Sequence, residues 1–176
     1  MPTTATAVDA ERTDLLAMLA KNRHFLRFTT RGLTDEQAAR RTTASELTLG
    51  GLIKHVTLVE RNWANFLVHG PATMGDAGAM TEEGVAAWQR QFQLLPGETL
   101  AGVLAGYASV AAATDELVRT LPDLNAAQPL PDRPWFQRGE RWSARRVIMH
   151  IIAETAQHSG HADIIRESLD GAKSMS

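Results

Sequence analysis

Between Ser143 and about Leu169 the apolar residues recur at a helical spacing, and the run stops just before Gly171. At 100° per residue, Val147, His150, Ile151, Glu154, His158, His161 and Ile165 fall on one stripe. A stripe of that kind has to be covered by other elements, so the segment demands a core built around a helix. Four ionisable side chains interrupt it. Burying such groups is costly unless they are paired, hydrogen-bonded or bound to a metal.

The rest of the chain keeps the same period. Asp9 serves as N-cap of a first helix over about Ala10–Arg31, with Leu15, Leu19 and Leu26 on its apolar face. Thr34-Asp-Glu-Gln37 reads as a capping box for a short helix through Arg41. Thr48 caps a second long helix over Leu49–His69, ended by Gly70-Pro71. A short amphipathic turn from Thr81 to about Phe92 lies in the mixed segment 71–97. Thr99 opens a third long helix to about Leu121, which Pro122 stops, and Ser143 caps the fourth. Residues 122–142, with four of the seven prolines and Trp135, Phe136 and Trp142, read as an ordered loop.

Sustained alternation of apolar and polar residues is absent, so the expected fold is all-α with four long helices. The connections between helices two and three and between three and four are long enough to permit a crossover. The expected organisation is a flexible tail at residues 1–8, one domain over 9–171 and a short tail at 172–176.

Composition narrows the chemistry. With no cysteine, disulfides, thiolate metal sites and a cysteine nucleophile all drop out, and any metal must use histidine and carboxylate. A net charge of −2 offers no basic surface for nucleic acid or anionic lipid. No apolar run approaches the ~20 residues of a membrane span. The first residues lack a signal-peptide pattern, so a cytoplasmic protein is expected. Phosphate loops, dinucleotide fingerprints, H-E-x-x-H and G-x-S-x-G elbows are missing, and Gly50-Gly51 reads as close helix packing.

His55 carries the second clue. Gly51, Leu52, Val59, Asn62 and Phe66 lie on its side of the second long helix, away from Lys54 and Arg61. Glu154 and His158, four residues apart, stack on neighbouring turns of the last helix. Together the three can form a metal-binding face of two imidazoles and one carboxylate, suited to Zn²⁺, Fe²⁺, Ni²⁺ or Mn²⁺ and leaving positions open. The same spacing also allows a buried Glu–His hydrogen bond, or a stripe half exposed in a dimer groove. His161 is a candidate ligand, ligand partner or proton carrier, and His150 a residue that caps the pocket. His24 and His69 fall near solvent faces, and Trp63, Trp135 and Trp142 read as packing, with the Trp135-Phe136 loop able to roof the site.

Thr48-Leu-Gly-Gly-Leu-Ile-Lys-His55, followed by Trp63, resembles the second helix of the DinB/YfiT-like superfamily. The run from Ser143 to Asp163, with His150, Glu154, His158 and His161, resembles its last helix. The similarity covers about residues 10–171 and is nearest to the mini-circle-type branch, related to mycothiol-dependent maleylpyruvate isomerase. The resemblance implies a four-helix bundle of up-down-down-up topology and a homodimer. It also implies a divalent metal at His55, Glu154 and His158. Glu154 matches the isomerase-like members, whereas His161 stands where relatives often have glutamine. The implied activity is transfer or isomerisation on a small-molecule substrate with a low-molecular-weight thiol, mycothiol or bacillithiol, as co-substrate. A count of 15 Arg against 3 Lys favours mycothiol, and His161 is then the candidate acid/base. The competing expectation is a non-enzymatic stress-related or binding protein with a structural metal; a third is a bundle that dimerises and has no site.

Overall fold

The computed structural model describes residues 4–74 and 82–174. Parts of the two expected tails (residues 1–3 and 175–176) and Thr81, the expected start of the amphipathic turn, lie outside the described residues. Among the described residues six α-helices dominate: α1 (Thr4–Phe28), α2 (Asp35–Ala38), α3 (Leu49–His69), α4 (Glu82–Arg90), α5 (Leu100–Thr120) and α6 (Ala144–Asp170). Two three-residue strands, β1 (Ala127–Pro129) and β2 (Arg141–Ser143), pair antiparallel with Gln128 opposite Trp142. None of the helices among the described residues is long and apolar enough to cross a membrane.

Side-chain caps set most boundaries. The Thr48, Thr99 and Ser143 hydroxyls accept from the backbone N–H of Gly51, Gly102 and Arg146, three residues on in each case. Thr34 and Gln37 form both bonds of a capping box, although α2 stops at Ala38 rather than Arg41. Gly171, at φ 79°, ends α6 in the left-handed region that glycine enters without strain. α1 departs from expectation by starting at Thr4, so Asp9 lies inside the helix, and by ending at Phe28. Residues 122–142 also differ, because the β1–β2 ribbon runs through what was expected to be loop. Its strands are too short to show alternation, and Pro129 closes the first.

The four long helices pack on one another: α1 against α5 and α6, and α3 against α5 and α6. Two apolar clusters fill the space between them. One gathers Leu15, Leu19, Trp63, Phe66, Val118, Val147, Ile148 and Ile151. The other gathers Leu26, Leu49, Leu52, Ile53, Val56, Tyr107, Ala162 and Ile165. A polar layer separates them. Arg23 of α1 follows Leu19 and precedes Leu26, and Glu60 of α3 lies between Val56 and Trp63, each with one neighbour in either cluster. The Arg23 guanidinium donates to Glu60 through Nε (3.2 Å) and Nη2 (2.5 Å), and to Asp115 of α5 at 2.7 Å. Glu60 is wholly buried, and Arg23 nearly so.

Gly50 and Gly51 do pack closely, but against the chain after α4 rather than against a helix. A Cβ on Gly51 would lie 1.7 Å from the Phe92 carbonyl oxygen, and one on Gly50 2.5 Å from Leu94 Cδ1.

A buried ion pair stripped of one member leaves an uncompensated charge in the core. Arg23→Met is therefore expected to destabilise the fold by about 3–5 kcal/mol in denaturant unfolding. Adding Glu60→Leu should recover much of that loss, and a single-variant loss below about 1 kcal/mol contradicts this account of the layer.

Candidate metal centre

α6 presents two parallel lines of side chains. Val147, Ile151, Thr155, Ala162 and Ile165 are buried. His150, Glu154, His158 and His161 run one residue out of phase with most of that line and are half-buried. The ionisable residues thus form a seam at the edge of the core. This lowers the desolvation cost that full burial would impose.

His55 meets this seam from α3. Its ring lies 4.7 Å from that of His158, nearly perpendicular at 79°. His55, Glu154 and His158 each contribute a ligand-type atom to one group, all within 4.8 Å of one another. Glu154 Oε2 and His158 Nε2 are 3.7 Å apart, beyond hydrogen-bond length, so these two do not satisfy each other directly. Ligand atoms about 2.1 Å from a tetrahedral cation stand roughly 3.4 Å apart, close to this spacing. Two imidazoles and a carboxylate, set apart by about an ion's width, fit a divalent cation.

Each donor also has a polar neighbour outside the group. His55 Nδ1 is 3.2 Å from Gln91 Oε1, and the Phe92 ring packs 4.3 Å from the His55 ring. His158 Nδ1 faces His161 Nδ1 at 3.4 Å. Glu154 Oε1 faces His150 Nε2 at 3.7 Å. His161 accordingly stands behind His158, on the side away from Glu154, and His150 stands behind Glu154.

Aromatic rings enclose His150. Trp63 and Trp142 stack at 4.9 Å with 9° between their planes, and His150 sits edge-on to both at 4.8 and 5.1 Å. Phe136 packs edge-on to the same two rings, so the loop does reach this end of the seam, while Trp135 stays exposed. Asn62, expected on the His55 side of its helix, is exposed as well. His24 and His69 are exposed, as expected. An open groove of about 930 Å³ between α1 and α5 includes His24, Arg27 and Leu104 and none of the seam residues.

Gln91 and Phe92 were not legible as site residues. They lie 36 and 37 positions from His55, beyond any helical period, and neither type marks a site by itself.

Burial pushes the His55 and His150 imidazoles below their usual range. Burial, then the neighbouring His55 and His161, brings His158 down to about 4 from 6.5. All three rings are neutral near pH 7, the form in which an imidazole can donate a lone pair. Between pH 6.5 and 4 the unfolded chain takes up a proton at His158 that the folded chain refuses. Stability is therefore fully present above 6.5 and falls toward pH 4, by roughly 3 kcal/mol for this group. In metal-free protein, the loss of unfolding free energy between pH 7.5 and 4.5 should be clearly smaller in His158→Gln than in the parent. Equal losses contradict the assignment.

A family model described as mycothiol-S-transferase matches residues 14–171, from within α1 to the glycine that ends α6. No curated protein matches the chain. The family match takes in both helices that supply the three donors and nearly the whole sequence. On this match the chain belongs to the mycothiol-S-transferase family, a DinB/YfiT-like family.

Proposed function

We propose that the protein is a divalent-metal-dependent S-transferase that joins a mycothiol-type thiol to an electrophilic small molecule. The observation that carries this reading is the meeting of His55, Glu154 and His158 across α3 and α6, without a hydrogen bond between Glu154 and His158. These three residues would hold a Zn²⁺, Ni²⁺, Mn²⁺ or Fe²⁺ ion. When bound, such an ion supplies Lewis acidity that keeps the thiol sulfur as thiolate at neutral pH.

The chain's own residues do the rest. With His158 held to the ion through Nε2, its Nδ1–H would donate to His161 Nδ1. This puts the His161 proton on Nε2, where it can hydrogen-bond the departing leaving group. The thiol proton passes to water, from which the leaving group is protonated. A sulfur–carbon bond then forms as the bond from carbon to the leaving group breaks, the sulfur supplying the electron pair. Trp63, Trp142 and Phe136 wall the His150 end of the seam and keep water from that side. Three protein donors with His161 behind His158 leave coordination positions open, which favours catalysis over a closed structural metal. In the same reading, residues 9–171 are one domain, an up-down-down-up four-helix bundle acting in the cytoplasm as a homodimer.

Elemental analysis of protein purified without an affinity tag should find close to one divalent ion per chain, and none in His55→Ala or His158→Ala. With mycothiol and monobromobimane as electrophile, conjugation should depend on the metal, stop with chelator and return when metal is restored. Metal-free protein that shows no thermal shift with Zn²⁺, Ni²⁺ or Mn²⁺ refutes the metal reading. Metal-loaded protein that gives no conjugation above the solution rate refutes the transferase.

A further inference from the structure

The segment after α4 is fastened to the first turns of α3 at several points. Thr48 Oγ1 donates to the Phe92 carbonyl at 3.2 Å. Lys54 Nζ donates to the Gln93 carbonyl at 3.4 Å and to Glu98 at 2.7 Å. Glu98 in turn accepts from the Leu95 N–H at 2.8 Å. Gly51 has no side chain where the Phe92 carbonyl approaches, so residues 91–95 sit closer to α3 than any other residue type there would allow. The outcome is that Gln91 reaches His55 and Phe92 covers the face of its ring.

A neutral imidazole carries one proton, and the partner of one nitrogen decides which nitrogen carries it. Gln91 offers His55 Nδ1 a side-chain carbonyl, an acceptor only, at 3.2 Å. That contact requires the proton on Nδ1, and Nε2 then keeps a lone pair. Were the amide turned about, its NH₂ would donate to Nδ1, the ring proton would move to Nε2, and no lone pair would remain for a cation.

We infer that Gln91 is a positioning residue that holds His55 as the Nδ1–H tautomer, with the Nε2 lone pair free for the group formed with Glu154 and His158. It touches neither metal nor substrate, and it acts through His55 alone. The α4–α5 connection thereby becomes part of the site, although it contributes no ligand. The consequence for metal affinity rests on the proposed metal centre; the tautomer itself does not.

The test uses the full chain in metal-free form. Long-range ¹H–¹⁵N correlation of the imidazoles should identify His55 as Nδ1–H in the parent protein. Gln91→Leu removes the acceptor and should shift His55 toward the Nε2–H form. Gln91→Glu, which retains an acceptor, should preserve the parent pattern. Zn²⁺ affinity by competition with a chromophoric chelator should fall about 10- to 100-fold in Gln91→Leu and recover to within a few-fold in Gln91→Glu. An Nε2–H His55 in the parent overturns the inference, as does a Gln91→Leu variant with unchanged tautomer and affinity. If Gln91→Leu fails to fold, the parent and Gln91→Glu spectra decide the question. A parent protein that binds no divalent ion defeats the metal reading, and the tautomer measurement then judges Gln91 independently.

Discussion

The packing of α3 on α6 in one register is the constraint on which the site depends. His55 stands on one helix, and Glu154 and His158 stand on consecutive turns of the other. Slipping either helix by one residue rotates its side chains by about 100° and dissolves the group. Two features oppose such a slip. The apolar clusters at either end interlock residues of α1, α3, α5 and α6. Between them, the Arg23–Glu60–Asp115 layer gives α1, α3 and α5 a directional contact that only one register satisfies. A hydrophobic core alone tolerates repacking, whereas a buried guanidinium whose carboxylate partners are displaced does not.

The half-buried seam resolves a conflict between fold and chemistry. Ligand imidazoles have to be neutral, which burial favours, yet a carboxylate and an entering substrate need access to polar surroundings. Placing His150, Glu154, His158 and His161 one residue out of phase with the buried line gives both. The donors are then kept apart, with Gln91, His161 and His150 on their outer sides, the first two within hydrogen-bond reach. In the proposed metal centre, outer partners of this kind would orient the ligands.

Much of this was legible in the sequence, for reasons that differ from residue to residue. Thr34, Thr48, Thr99 and Ser143 announced helix starts because capping is a local interaction written within four residues. The group of His55, Glu154 and His158 could be anticipated from helical phase combined with family resemblance, although phase alone left a Glu–His hydrogen bond open. The 3.7 Å separation of Glu154 and His158 disfavours that alternative. The start of α1 was misread at Asp9, because this stretch offers several residues of capping type, Thr4 and Thr6 among them, and the helix already begins at Thr4. Likewise, the β1–β2 ribbon is too short to leave a period. Gln91 was invisible because its role arises from a tertiary contact that Gly51 permits. His161 was ambiguous in the sequence; its position 3.4 Å from His158 Nδ1 supports the reading of an outer partner over a fourth ligand.

The most direct test of the central claim is an anomalous-difference map from crystals of the Zn²⁺-loaded protein, collected on both sides of the zinc edge. The account predicts one strong peak between α3 and α6, within about 2.0–2.2 Å of a nitrogen of His55, a nitrogen of His158 and an oxygen of Glu154, with His161 outside that shell. A peak elsewhere, a peak ligated by His161 in place of any of the three, or no peak at full loading would contradict it.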